Sequence, residues 1–222
     1  MWILIVKNKH LFTAYLLIWI STLIFILTEG KISSHLSVNE FHNHFFDSFF
    51  KIITNLGDGI FMVLSGCILI LFFSIRYGFI ILSSFLCSSL FVQIMKRLIF
   101  PGFDRPILFF KKLGVAIYEI QGVDYYSHFS FPSGHSTTAF ALFVGLSLFI
   151  RNIPLKLIFL LLACITAFSR VYLSQHFLED ILAGSALGTI TVLYIYYIFN
   201  RWNKNWLDKN ALQLIGKKND LP

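Results

Sequence analysis

Residues Tyr77–Met95 read YGFIILSSFLCSSLFVQIM, without one charged side chain, and Lys96 and Arg97 follow directly. A helix needs about 20 apolar residues to cross a bilayer core about 30 Å thick. The run shows no alternation of apolar and polar positions, so it does not read as a barrel strand, which is alternating and about ten residues long. Backbone groups in hydrocarbon must be satisfied within the segment itself, and a helix does this. The paired cations then mark where the helix leaves the apolar layer.

Five further apolar stretches flank this one: Leu11–Leu27, Ile53–Phe73, Thr137–Ile150, Leu155–Leu173 and Ile181–Phe199. The stretch from Thr137 is short, and Gly134, His135 and Ser136 extend it into more polar sequence. The expected fold is all-α, a polytopic membrane bundle of six transmembrane helices forming a single domain over residues 1–222. Composition points the same way. The chain is 57% hydrophobic and 13% charged, against about a quarter charged in soluble domains, and its mean hydropathy is +0.75. Internal repeats and low-complexity tracts are absent from the sequence. Lys7 and Lys9 ahead of an apolar run resemble a secretory signal, but Thr28-Glu29-Gly30 is a poor cleavage site, so the run reads as an uncleaved first span.

The net charge of +7 does not form one basic patch of the kind nucleic acid requires, and no nucleic-acid partner is expected. It partitions by topology instead. With the N-terminus in the cytoplasm, the inner segments hold ten basic residues, among them Lys7, Lys9, Arg76, Arg151, Lys156, Lys217 and Lys218, against Asp208 and Asp220, a net +8. The outer segments hold eight basic and nine acidic residues, a net −1. Basic residues favour the cytoplasmic side, so both termini are expected there, with the protein in a cell inner membrane. Cys67, Cys87 and Cys164 each sit inside an apolar run with no metal or redox spacing and read as small buried hydrophobes.

Between the first two stretches, Ser34–Lys51 carries Phe41, Phe45, Phe46, Phe49 and Phe50 with partial helical periodicity, the pattern of an interfacial helix on the outer leaflet. Its histidines, His35, His42 and His44, lack a supporting Cys or carboxylate pattern, and they read as a polar face at the head groups rather than a metal site.

The remaining polar residues concentrate in three segments at span ends. Lys96 and Arg97 lead to Asp104-Arg105-Pro106; Phe131-Pro132-Ser133-Gly134-His135-Ser136 opens the fourth span; Ser169-Arg170 leads to His176 and Glu179-Asp180. The expected topology puts all three on one side. Lys96 or Arg97, with Arg105 and Arg170, can converge on one phosphoryl group. Pro132-Ser133-Gly134 reads as a helix start whose free N–H groups suit an anion, and Gly134 leaves the backbone open to close approach. His176 and Asp180, four residues apart, share a helix face. A carboxylate there holds one ring nitrogen protonated and leaves the other to act as a nucleophile. His135 can protonate a leaving oxygen. Singly these are ordinary features, since cations at span ends usually snorkel and Glu179 reads as a complement to a helix dipole. Together, ionisable groups at membrane depth point to function.

The three segments resemble the signature of the type 2 phosphatidic acid phosphatase family: Lys, six residues, Arg-Pro; then Pro-Ser-Gly-His; then Ser-Arg, five residues, His, three residues, Asp. The second part is complete at Pro132, Ser133, Gly134 and His135, and the third at Ser169, Arg170, His176 and Asp180. The first departs: Arg105-Pro106 matches, but eight residues separate Lys96 from Arg105 and seven separate Arg97 from it. Lys96 fits by chemical type, with the extra length taken up around Pro101-Gly102. The resemblance implies a nucleophile at His176 forming a phosphohistidine, an orienting carboxylate at Asp180 and a general acid at His135. It implies a phosphate held by Lys96, Arg105, Ser133, Gly134 and Arg170, with no metal and no cofactor. Its soluble haloperoxidase branch does not fit so lipid-embedded a composition. The expected partners are the bilayer and a phosphorylated membrane lipid: phosphatidic acid, phosphatidylglycerol phosphate, undecaprenyl diphosphate or a lipid A type. A phosphotransferase using the same site and a non-enzymatic transporter or scaffold are the alternatives. Selectivity is expected in the apolar walls, in Ser34–Lys51 and in the loop Phe109–Phe131, whose Tyr118, Tyr125, Tyr126 and His128 sit either against a head group or at the interface.

Overall fold

The computed structural model describes residues 2–219; of the charges weighed above, Asp220 lies outside them. The helices are α1 (Trp2–Lys7), α2 (Lys9–Asn39), α3 (His44–Ile53), α4 (Gly59–Ile68), α5 (Ile75–Ile94), α6 (Pro106–Lys112), α7 (Gly134–Phe149), α8 (Ile153–Tyr172), α9 (Leu178–Arg201) and α10 (Ala211–Asn219). No strand occurs among the described residues. Four helices are long and apolar enough to cross a membrane: α2, α5 with its extension to Ile99, α8 and α9. A fifth span forms if the pieces His44–Gly57 and Gly59–Phe73, bent by 57° at Asp58, are taken as one. The bend lies where Asp58, in extended conformation, caps α4 by accepting from the Ile60 N–H at 2.7 Å. Ile53–Phe73 is therefore not one straight helix.

α7 is the axis of the bundle. Twelve of its sixteen residues are buried, and α5, α8 and α9 pack around it. A helix buried on every side needs no polar face, which explains why so short a helix stands at the centre. It starts at Gly134, with Ser133 as its cap, as the extension into polar sequence anticipates. α9 approaches it with almost no gap: a methyl group at Gly188 would lie 2.2 Å from the Thr137 carbonyl oxygen, and one at Gly184 would lie 2.6 Å from that of Ser133. These two glycines set the spacing that brings the start of α9 against the start of α7.

α2 buries Leu11, Phe12, Tyr15, Ser34 and His35 against the bundle, and in its middle Trp19 donates to the Leu182 carbonyl at 3.2 Å. It bends at Gly30, whose φ of +76° glycine alone adopts without strain. At the end of the bundle remote from Lys96, the buried Arg76 guanidinium donates to both Asp208 carboxylate oxygens, at 2.5 and 3.1 Å, and to the Phe199 and Trp202 carbonyls. Lys156 donates to Asn8 there as well. Arg76 and Lys156 thus tie segments together at their end of the bundle.

The interfacial helix expected over 34–51 is two pieces. Residues 34–39 continue α2; the chain then turns, and Asn43 caps a separate α3 by accepting from the Phe46 N–H at 3.0 Å. α3 carries the amphipathic pattern: Phe45, Phe46 and Ile52 are exposed, Asp47 and Phe50 buried. His35 and His42 are not a head-group face. His35 is 1% exposed and lies against Phe110 and Phe177, and His42 Nδ1 bonds the Asp47 carboxylate at 2.9 Å. Periodicity locates a helix face but not the neighbour that covers it.

Candidate active site

The site forms where α5, α7, α8 and α9 meet at one end of the bundle. α5 finishes in a π-helical turn, Met95–Ile99, which buries Lys96. A π-turn accommodates extra residues in a helix, and with the turn at Pro101-Gly102 it absorbs the longer spacing to Arg105. Lys96 shares a short-range field with Arg105, Arg170 and Asp180. Arg97 points away: it is exposed and donates to Gln93 Oε1 at 3.2 Å. Geometry therefore favours Lys96 over Arg97 as the site cation.

Arg105 stands at the cap of α6, with Pro106 in the first turn where a missing N–H costs nothing. Its Nε donates to the His128 carbonyl at 3.0 Å and its Nη1 to Gln175 Oε1 at 3.2 Å, with the Tyr126 ring 5.2 Å away. Arg170, on the last turn of α8, donates from Nη1 to Thr54 Oγ1 at 2.6 Å, while its buried Nε has no partner among the described residues. A guanidinium so braced keeps donors for an anion.

Ser133 caps α7, its Oγ accepting from the Ser136 N–H at 3.3 Å and the Ser136 hydroxyl at 2.9 Å. Its own hydroxyl proton remains to donate. A Cβ at Gly134 would meet only the Val92 side chain, at an ordinary 3.8 Å, so neighbouring side chains do not require glycine. What glycine provides is an open approach to the N–H groups of the first turn. His135 lines a cavity of about 100 Å³ with Gly57, Val92, Gln93 and Thr138, within the field of Lys96, Arg105, Arg170 and His176.

His176 is 2% exposed, at the turn between α8 and α9. Its Nδ1 lies 3.2 Å from Asp180 Oδ2, a carboxylate that also accepts the Phe177 N–H at 2.9 Å. His176 thus lies ahead of α9 and not on its face as the spacing suggests; Asp180, in the first turn, reaches back over the cap to it. A carboxylate on Nδ1 selects the tautomer that leaves Nε2 with its lone pair. Burial pushes the imidazole well below its ordinary value, and Arg105, Lys96 and Arg170 push the same way.

Several contacting residues carry no sequence signal. Ser130 donates to Asp180 Oδ2, Gln175 braces Arg105 and Thr54 braces Arg170. Further contacts clasp the turn that carries His176: Ser174 Oγ meets His35 Nε2 at 3.2 Å, and Asn39 pairs with the Tyr118 backbone at 2.8 and 3.2 Å. Asp47 accepts from Tyr172 at 2.7 Å and Tyr118 at 3.3 Å. Of the loop aromatics, Tyr118 and Tyr125 are thereby engaged internally, Tyr125 through the Ile120 N–H, and Tyr126 faces Arg105. Glu179 pairs with Lys31 at 2.8 Å in addition to standing in the first turn of α9. Among the described residues no three His, Cys, Asp or Glu side chains gather as metal ligands.

A family model described as the PAP2 superfamily matches residues 74–204, more than half of the chain and all three segments. The chain belongs to the PAP2 superfamily. Within the superfamily it is 36% identical over 73 residues to phosphatidylglycerophosphatase B of Bacillus subtilis, covering 29% of this chain and 36% of that one. It is 29% identical over 79 residues to the lipid A 4'-phosphatase of Porphyromonas gingivalis, covering 36% and 34%. The matches thus span about a third of each relative's length. Two crystal structures share the fold at 21% identity. LpxE of Aquifex aeolicus aligns with a TM-score of 0.66 over 75% of this chain and 94% of that one. A transmembrane PAP2 type phosphatidylglycerolphosphate phosphatase of Bacillus subtilis aligns at 0.62 over 89% and 98%.

Proposed function

We propose that this membrane protein is a lipid phosphatase that works through a phosphohistidine. One observation carries the reading: a buried histidine, braced by Asp180 on Nδ1, lies within electrostatic reach of three cations, Lys96, Arg105 and Arg170, and of a second histidine, His135. Lys96, Arg105 and Arg170, with the Ser133 hydroxyl and the N–H groups of Gly134 and its neighbours, bind the phosphoryl oxygens. Like charges crowded in a poorly solvated site repel one another, and a phosphate dianion relieves that repulsion. His176 Nε2 attacks phosphorus as the bond to the lipid oxygen breaks, and His135 gives that oxygen a proton. Water then attacks the phosphohistidine, His135 takes the water proton, and inorganic phosphate leaves with His176 restored. Phosphoryl transfer needs chiefly positioning and charge stabilisation, and three fixed cations supply the charge.

The substrate class is a phosphorylated membrane lipid, in keeping with relatives named for phosphatidylglycerophosphate and lipid A. Purified protein is expected to release inorganic phosphate from at least one member of a panel containing phosphatidic acid, phosphatidylglycerol phosphate, a lipid A phosphate and an isoprenoid diphosphate. Release should survive excess EDTA. No release from any of them, or activity lost on chelation and restored by magnesium, would overturn the mechanism.

The layout we propose is six spans, with the bent pair around Asp58 counted as one and the shielded α7 as another. Both termini are cytoplasmic and the site faces outward, across a cell inner membrane. Gly122 has a φ of +78° that a cysteine would strain, so the exposed neighbour Gln121 is the place for a probe. Gln121→Cys should react with a membrane-impermeant maleimide in intact spheroplasts. Labelling only after permeabilisation would put the site on the inside.

A further inference from the structure

Asp180 is held in an uneven way. Its Oδ2 takes three contacts: the Ser130 hydroxyl at 2.5 Å, the Phe177 N–H at 2.9 Å and His176 Nδ1 at 3.2 Å. Its Oδ1 is buried with no partner among the described residues. The Phe177 N–H comes from the same turn as the carboxylate, so it moves with it. Ser130 comes from the segment that enters α7, and its hydroxyl holds the carboxylate from a part of the chain 50 residues away. Ser130 is 1% exposed and is anchored in turn, its N–H donating to the Phe103 carbonyl at 3.0 Å.

Proton counting gives the bonds a direction. A serine hydroxyl has one proton, and a carboxylate can only accept, so the Ser130 proton points to Oδ2. Ser130 Oγ then has lone pairs left, and it lies 3.5 Å from His176 Nδ1. The Nδ1 proton therefore faces Asp180 Oδ2, with Ser130 Oγ the longer neighbour, and neither can return a proton to it. We propose that Ser130 is a positioning residue of the catalytic apparatus, fixing the Asp180 carboxylate and, through it, the tautomer and aim of His176. This rests on the phosphatase reading above. It also makes one short segment serve both histidines, because Ser130 lies five residues ahead of His135.

The test compares Ser130→Ala and Ser130→Cys with the parent protein in detergent, on a lipid phosphate that the parent hydrolyses. A hydrogen bond to a charged group is worth about 10- to 100-fold, so Ser130→Ala should lose about that much kcat. KM and competitive inhibition by inorganic phosphate should change less than about twofold, because Lys96, Arg105 and Arg170 are untouched. Ser130→Cys, nearly isosteric with a weak S–H donor, should recover part of kcat. A kcat for Ser130→Ala within about twofold of the parent would sink the proposal and leave the phosphatase reading standing. Loss of phosphate inhibition in parallel with kcat would assign Ser130 to packing instead. Should Ser130→Ala fail to fold, Ser130→Cys decides alone: reduced kcat with unchanged phosphate inhibition supports the role, and parental kcat refutes it. A parent protein silent on every phosphate ester fails the underlying reading, a distinguishable result.

Discussion

His176→Ala is expected to abolish turnover on every phosphate ester, and His135→Ala to do so selectively. If His176 forms the bond to phosphorus, its removal deletes the step, and no leaving group is good enough to compensate. His135→Ala keeps the nucleophile and removes the proton donor, a contribution typically worth about 10²–10⁴-fold. An aryl phosphate leaves as a weakly basic phenolate and needs little of that help, whereas a lipid alkoxide needs all of it. His135→Ala should therefore lose much less activity on an aryl phosphate than on a lipid phosphate, while His176→Ala is inactive on both. Asp180→Asn should behave as a milder His176 defect, because it disturbs the tautomer without deleting the ring. Rates for the three folded variants on both substrates, with alkaline-quench trapping of labelled enzyme, make the comparison. Should His176→Ala keep aryl phosphatase activity that His135→Ala lacks, the two roles must be exchanged.

The other large effect is expected far from the chemistry, at Gly188. A methyl group there meets the Thr137 carbonyl oxygen at 2.2 Å and the Ala141 nitrogen at 3.0 Å, both backbone atoms of α7. Neither can rotate aside, so the helices must separate. Overpacking of this kind costs about 1–3 kcal/mol and occasionally more, and here it also moves the start of α9, with Asp180, away from α7. Gly188→Ala should lower the midpoint of thermal inactivation by several degrees, and Gly188→Leu should yield little folded protein on detergent size exclusion. Gly102→Ala is the matched control, since nothing lies within 4 Å of a Cβ built there. Equal stability of Gly188→Ala and Gly102→Ala would mean that the two helices are not in such close contact.

Much of this arrangement is legible in the residues. Apolar run length marks the long helices, but His176 and Asp180 meet through the cap of α9 and not along a helix face, because His176 lies ahead of the helix. Residues that act across large separations leave no such trace. Ser130 reaches Asp180 over 50 positions, Arg105 reaches Gln175 over 70, and Arg170 reaches Thr54 over 116. Thr54 falls inside a stretch that reads as continuous span, yet a 3₁₀ turn at Thr54–Gly57 interrupts it. His35 and His42 resemble a surface cluster, because composition reports polarity and not what packs upon it.

The enclosure of α7 bears on how the protein is made. Sixteen residues of helix rise about 24 Å, short of a bilayer core about 30 Å thick. Ser136, Thr137, Thr138, Gly145 and Ser147, all buried in the finished bundle, gain little from lipid. A nascent α7 leaving the translocon finds α5 already synthesised, but α8 and α9, its other close partners, are still to come. It must wait as a poorly solvated guest until the last span emerges and the glycine face of α9 closes over it. That same closure delivers Asp180 to Ser130 and His176. A chain stalled before Leu178 already holds Lys96, Arg105, Arg170 and both histidines, yet it lacks Asp180, the carboxylate on His176 Nδ1. On the proposed mechanism, closing the bundle and completing the site are one event.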